Sequence, residues 1–257
     1  MAFQQIIRIG LVLLVGLSAA CQRPLYFASE EVHPITRLDS AGDFQLSGLA
    51  NLDMGYLQTY KAAAELAISR NLALRGSITR GGHDYLPGNM PLGRVRSHHL
   101  GLGSFYKLGD GYKGATWLGY SQGMVTNEHV LVTSFIFVPR ALKINLHNNY
   151  SRLFIEQQMR YEFGGMEVFG VLSFGSSRVY NIDFVYNDRL ENTLQAEQIS
   201  RHQARPNCFY GALALGVSGG TENLRLFARS DMFFGDAVDQ LGRNPALFLS
   251  TGISWRL

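Results

Sequence analysis

Six of the seven histidines, His83, His98, His99, His129, His147 and His202, fall in or beside stretches that read as connections, and only His33 lies elsewhere. An imidazole beside a carboxylate, as at His83 and Asp84, is the pairing that activates water, so one reading is a surface hydrolase acting on peptide or lipid A. Against it, His98 and His99 are adjacent and point to opposite sides of an extended chain. No histidine pair has a tight ligand spacing on one element, which gives no reason to expect a metal. Gly101-Leu102-Gly103 and Gly164-Gly165 precede no helix that would cradle a phosphate, and no other motif calls for a cofactor. No residue is singled out as catalytic.

A second set is charged. Lys61, Glu65, Arg75, Lys107, Arg152, Glu156, Arg160, Glu162, Glu167, Arg225, Arg229, Asp231 and Arg256 fall on the polar side of alternating segments. Facing into a narrow barrel, interleaved Arg and Glu would pair across the lumen and fill it. The alternative is a selective polar pore lined by the same groups, a small-solute channel. Balanced rather than sorted signs favour the packed, structural reading.

Two cysteines differ in setting. Arg8, the apolar stretch from Ile9 to Leu17 and the small residues Ser18, Ala19 and Ala20 lead to Cys21. The run is too short for a transmembrane helix and reads as an export signal. Leu17 to Cys21 looks like a bacterial lipobox, with Leu one position early, so cleavage before Cys21 and acylation of its thiol are expected. Cys208 would then be an unpaired thiol on a barrel wall, with nothing basic beside it to activate it.

The elements that would position these groups are strands. Over Ala246 to Leu257, Leu247, Leu249, Thr251, Ile253, Trp255 and Leu257 share one face, and Phe248, Ser250, Gly252, Ser254 and Arg256 the other. Lipid outside and packed polar groups inside a barrel demand this period of two. Ser250, Gly252, Trp255 and Leu257 resemble the C-terminal assembly signal of bacterial outer-membrane barrels, with Leu257 where Phe is usual. Upstream, alternation starts at Asp43 and recurs over Tyr56–Ala67, Leu72–Thr79, His99–Leu108, Ala115–Met124, Tyr150–Phe163, Met166–Gly175, Cys208–Val217 and Asn223–Phe233. That predicts an all-β, up-and-down antiparallel transmembrane barrel of about ten strands over residues 43–257. A signal peptide over 1–20 and an acylated periplasmic tether over 21–42 precede it.

Short turns carrying Gly or Asn, at 69–71, 109–112, 164–165 and 218–221, alternate with long segments at 80–98, 125–149, 181–207 and 234–245. Short periplasmic turns and long external loops have this asymmetry. An even strand number puts both ends of the barrel in the periplasm, where a lipid on Cys21 would anchor in the inner leaflet. Two segments fit less simply. Val130–Val138, apolar on both faces, is expected as a strand extension or loop hairpin, and residues 191–202 as a short surface helix.

Composition agrees. Charged residues are 17% and hydrophobic ones 46%, with 28 Gly and 12 Tyr. Loss of Arg8 with the signal leaves 22 of the 23 basic residues against 20 acidic ones, formally +2. The charges are dispersed, which excludes the clustered basic face of a nucleic-acid binder. Tyr56, Tyr60, Tyr106, Trp117, Tyr120, Tyr161 and Trp255 read as girdle and wall residues.

Cys21, the Pro24-Leu25-Tyr26 step and the Gly-bearing strand Asp43–Asp53 resemble small outer-membrane barrel lipoproteins of Bacteroidota-type bacteria. The resemblance implies a barrel with a periplasm-facing lipid anchor and carries no settled activity. Nothing reproduces the sequence pattern of the ten-stranded omptin proteases. The expected role is a structural or scaffold one in the cell envelope, with outer-membrane lipid and other envelope proteins as partners.

Overall fold

Alternating side chains and Gly-bearing turns build a closed antiparallel barrel. The computed structural model describes residues 33–52, 58–82, 92–135, 138–186, 203–204, 206–234 and 246–257. Ten strands follow one another: β1 (Phe44–Leu52), β2 (Gln58–Ala67), β3 (Leu72–Gly82), β4 (Leu92–Gly109), β5 (Tyr112–Phe135), β6 (Val138–Phe163), β7 (Met166–Tyr186), β8 (Asn207–Gly220), β9 (Leu224–Phe234) and β10 (Ala246–Arg256). Each pairs with its sequence neighbours, and β1 closes the barrel against β10. At that seam the Leu257 N–H donates to the Phe44 carbonyl at 2.8 Å, so both ends of the barrel lie where the short turns are.

The two faces invert the arrangement of a water-soluble protein. Leu100 is 69% exposed and Leu226 65%, on the outside, whereas the inward Arg75 is 2% exposed and Glu156 0%. An outward band of Leu, Ile, Val and aromatic side chains around an ionic interior is what a bilayer requires of strands that cross it. Among the described residues no helix is long and apolar enough to cross a membrane.

The tightest turn shows how sequence fixes register. Phe163 pairs with Met166, leaving Gly164 and Gly165 as a two-residue loop with φ of 54° and 81°. Both values lie in the left-handed region, the backbone of a type I′ hairpin, which glycine adopts without strain.

Several strands outrun the sequence expectation. β5 has 24 residues, β6 26 and β7 21, whereas crossing a bilayer takes ~9–11. Val130 pairs with Lys143 and Phe135 with Val138, so the doubly apolar Val130–Val138 run extends β5 and opens β6. Alternation reports lipid on one side and lumen on the other, and it is lost where a hairpin leaves both behind. The helix expected over residues 191–202 lies outside the described residues.

Candidate functional site

The lumen is an ionic core. Arg75, on β3, is its hub: Nε donates to Glu65 Oε1 on β2 at 2.7 Å and Nη1 to Glu156 Oε1 on β6 at 2.6 Å. Its guanidinium lies 4.0 Å from the Trp117 ring centre, a cation–π contact in a dry site. Nearer the short turns, Arg160 Nη1 donates to Glu167 at 2.9 Å and Arg225 pairs with Glu162. Arg229 and Asp231 pair at 2.9 Å on β9, and Arg152 donates to Ser177 at 2.7 Å while lying over Tyr210. Lys61 is buried on the same inner face. Arg256, at the rim, is half-buried. Lys107 departs from the set: a register shift between Lys107 and Gly109 leaves its side chain exposed.

Trp117 also differs from the girdle role expected of it. It is 1% exposed and faces inward, beside Gly103 of β4. A Cβ on Gly103 would collide with the indole, so glycine there makes room for the ring. Gly252 does the same for Phe227, which explains the glycine of the terminal strand by packing. Ser250 donates to Asp231 from the inner face of that strand, and Trp255 and Leu257 face outward among exposed apolar side chains.

The lumen holds a further strand's length of chain. Residues 33–39, expected as part of a tether, run inside the barrel, with His33, Ile35, Thr36, Arg37 and Leu38 all buried. The His33 carbonyl accepts from Arg229 Nη1 at 2.6 Å, and its Nδ1 lies 3.0 Å from Glu156 Oε2. The Thr36 N–H donates to Gln158 Oε1 at 2.7 Å, and its Oγ1 accepts from Arg75 and from Trp117 Nε1. The Gln45 side chain of β1 accepts from the Arg37 N–H at 2.7 Å and donates to the Ile35 carbonyl at 2.8 Å. Asp39 Oδ1 accepts from Lys113 Nζ at 2.7 Å and Oδ2 from Arg256 Nη1 at 2.6 Å. These partners lie on opposing walls, so a single pass of chain occupies the lumen where it runs.

The order of contacts gives the segment's direction. His33 packs against His99 and Phe154, well inside β4 and β6, whereas Leu38 meets Ala67 and Ala73 beside the β2–β3 turn. Asp39 and Ser40 then cap onto Asp43, and the chain reverses into β1. Residues 33–40 therefore descend from the interior to the short-turn mouth. The described part of the expected tether is a lumenal plug, because its polar backbone and side chains find partners there that a free tether would find only in water.

Burial sets the electrostatics of this plug. His33 is lowered to about 4 by burial and by the nearby Lys61, which outweigh the pull of Glu156. The His33–Glu156 contact has ion-pair geometry, but burial and Lys61 favour the neutral ring, and Glu156 also accepts from Nη1 of Arg75, a guanidinium it shares with Glu65. Arg37 is lowered to about 10 by burial and by Arg225 and Arg160, opposed by Glu167. Burial would raise Asp39, yet Lys113, Arg160 and Arg256 hold its carboxyl below the usual range.

The histidines do not converge. His98 points outward and His99 inward, where its Nδ1 lies 3.1 Å from the Tyr120 carbonyl. His147 Nδ1 meets Thr126 Oγ1 at 3.1 Å. His83, Asp84 and His202 lie outside the described residues, as do Cys21 and the signal segment, and nothing is described of the side chain of His129. Among the described residues no three of His, Cys, Asp and Glu are grouped to hold a metal ion. Cys208 is buried, with Sγ 3.4 Å from the Ser177 carbonyl.

Strand periodicity does not reach His33, Thr36, Arg37 and Asp39, since a plug has no period of its own. The one available signal is the inward Gln45 and Gln158, amides with more hydrogen-bonding groups than a wall of side chains needs.

No protein-family model matches the chain, and no curated protein matches it in sequence. In three dimensions it resembles the outer-membrane protease OmpT of Escherichia coli, with 8% identity over 85% of this chain and 95% of that one, at a TM-score of 0.44. The translocator domain of the autotransporter NalP from Neisseria meningitidis is similar at 10% identity, 83% and 86% coverage and a TM-score of 0.41. A major outer-membrane protein from Thermus thermophilus is similar at 13% identity, 84% and 100% coverage and a TM-score of 0.39. What this chain shares with them is a likeness of fold.

Proposed function

We propose that the chain is an outer-membrane lipoprotein, acylated at Cys21, whose barrel is sealed by residues 33–40 of its own sequence and serves as a structural or scaffold element of the envelope. The observation that carries this reading is the plug, bonded to Glu65, Arg75, Glu156, Gln158, Arg229 and Arg256. A sealed barrel offers its wall and loops, rather than a conduit, to lipid and to other envelope proteins. The exposed apolar band supports residence in a bilayer, and the external placement of the long loops follows from the turn asymmetry. The lumenal descent of residues 33–40 bears on the anchor: a lipid on Cys21 would connect to β1 through the barrel interior, not directly from the inner leaflet.

The test is conductance of the purified protein in planar bilayers. Silence of the wild type is expected, and ohmic steps scaling with protein would replace this reading with the channel. Mass analysis of the N-terminal peptide is expected to show acyl chains on Cys21, absent after Cys21→Ala.

A further inference from the structure

The outer wall carries cations that meet no counter-charge among the described residues. Going from the apolar band toward the long-loop end, the outward positions of β3 are Gly76, Ile78 and Arg80. Those of β4 are Leu100, His98, Arg96 and Arg94. Charge thus begins where the band ends. Arg80 and Arg96 are directly paired across the two strands, an arrangement of like charges that destabilises a sheet unless an anion lies between them. Among the described residues, none of these four has an ion-pair partner. The same height on β5 and β6 carries Met124 and Asn149, so the cluster belongs to one side of the barrel.

Directly below lies an apolar groove of about 1000 Å³. Gly48, Ala62, Ala64 and Gly76 form its floor, Leu100 and Trp255 stand at its sides, and His98 reaches its upper end. A Cβ on Gly76 would meet nothing within 4 Å, so barrel packing does not require glycine there. What the missing side chain leaves is depth in the groove.

We propose that this wall binds one outer-leaflet lipid with an uncompensated phosphate head group, its phosphate between Arg80 and Arg96 and an acyl chain in the groove. Guanidinium groups suit phosphate because their forked donors match its oxygens, and two of them relieve their mutual repulsion by sharing it. Arg94 and His98 flank the pair on the same face. The inference rests on the outer-membrane placement proposed above, with the long loops outside.

The test uses the full-length protein, delipidated in mild detergent and given lipid A, the same lipid without its phosphates, or phosphatidylethanolamine, with retention read by native mass spectrometry. The wild type should retain one lipid A and discriminate against the other two. Retention should fall at least tenfold in R80Q/R96Q, and also in Gly76→Leu, which fills the groove and leaves the charges in place. Without lipid, R80Q/R96Q should melt at or above the wild type, and lipid A should reverse that order. Equal retention by wild type and R80Q/R96Q, or of phosphorylated and dephosphorylated lipid, would overturn the site. A separate arm places Cys at Ser134, near the β5–β6 turn, and applies an impermeant maleimide to intact cells. Labelling there supports the placement, whereas labelling only after permeabilisation overturns the placement and with it the outer-leaflet lipid.

Discussion

Arg75 and Arg80 stand on the same strand, and their surroundings are opposite. Arg75 points into a space sealed from solvent and is matched by two carboxylates, a hydroxyl and an indole. Arg80 points outward at the edge of an apolar band, opposite another arginine. Inside, charge is tolerated where it meets opposite charge, hydroxyls or aromatic faces, as Arg75, Arg160, Arg229 and Arg152 do. Outside, it is tolerated only beyond the height at which lipid tails give way to head groups. The comparison teaches that inward charge in this barrel is structure, and outward charge marks a boundary.

The largest effect should come from breaking the inner arrangement. Arg75→Leu leaves Glu65 and Glu156 buried without their shared cation, which costs about 3–5 kcal/mol by analogy with other broken buried pairs. Urea unfolding in lipid vesicles should show the midpoint fall accordingly. The matching insult to the outer face is Leu118→Arg, where a side chain now 57% exposed meets lipid tails. It should cost ~2–4 kcal/mol in a bilayer. In detergent, where the head group can reach water, the loss should be smaller, whereas that of Arg75→Leu should persist.

Smaller changes separate the plug from the wall. Asp39→Asn removes the carboxylate shared by Lys113, Arg160 and Arg256 at the short-turn mouth. The site is partly solvated, so screening limits the loss to about 1 kcal/mol. Hydrogen exchange should quicken over residues 33–42 with little change in the strands. Because the folded-state value of Asp39 lies below its unfolded value, this contribution is present above the ordinary carboxylate range and is lost as pH falls through it. Mild acid acts earlier through His33. Its value, about 4 when folded, lies below the ordinary 6.5, so the fold favours the neutral ring; stability is full above about pH 6.5 and declines toward pH 4. Protection of the amides of residues 33–39, corrected for the intrinsic pH dependence of exchange, should fall several-fold between pH 7 and pH 5, and His33→Gln should remove that slope. A slope unchanged in His33→Gln would assign the effect to another group.

The difference between the two faces also explains what the sequence makes legible. Alternation marks the short-turn ends of β3, β6 and β7 to the residue but starts β5 at Ala115 rather than Tyr112, and it places Glu65, Arg75, Glu156 and Arg229 on the side opposite Leu66, Leu74, Ile155 and Ala228, because lipid and lumen impose opposite preferences on neighbouring residues. Beyond the band, where β5 and β6 rise as a hairpin, that contrast disappears and the pattern stops short of the strand ends. Trp117 shows the limit within the band: an aromatic suits both a girdle and a lumen, and only the cross-strand Gly103 decides. The plug was illegible for a different reason. His33, Thr36 and Asp39 are specified by partners far away in sequence, on β2, β3, β5, β6 and β9, and a loop with such partners looks locally like any polar linker.

Residues 33–39 occupy the lumen, and Ile35, 2% exposed between the walls, reports on that occupation directly. In a Cys208→Ser background, Ile35→Cys should resist a small water-soluble maleimide in the folded, membrane-inserted protein and react promptly once the barrel is unfolded. A control thiol at Asn71, in the exposed β2–β3 turn, should react at once in both states. Labelling of Ile35→Cys in the folded barrel at the rate of the Asn71 thiol would contradict a plugged lumen.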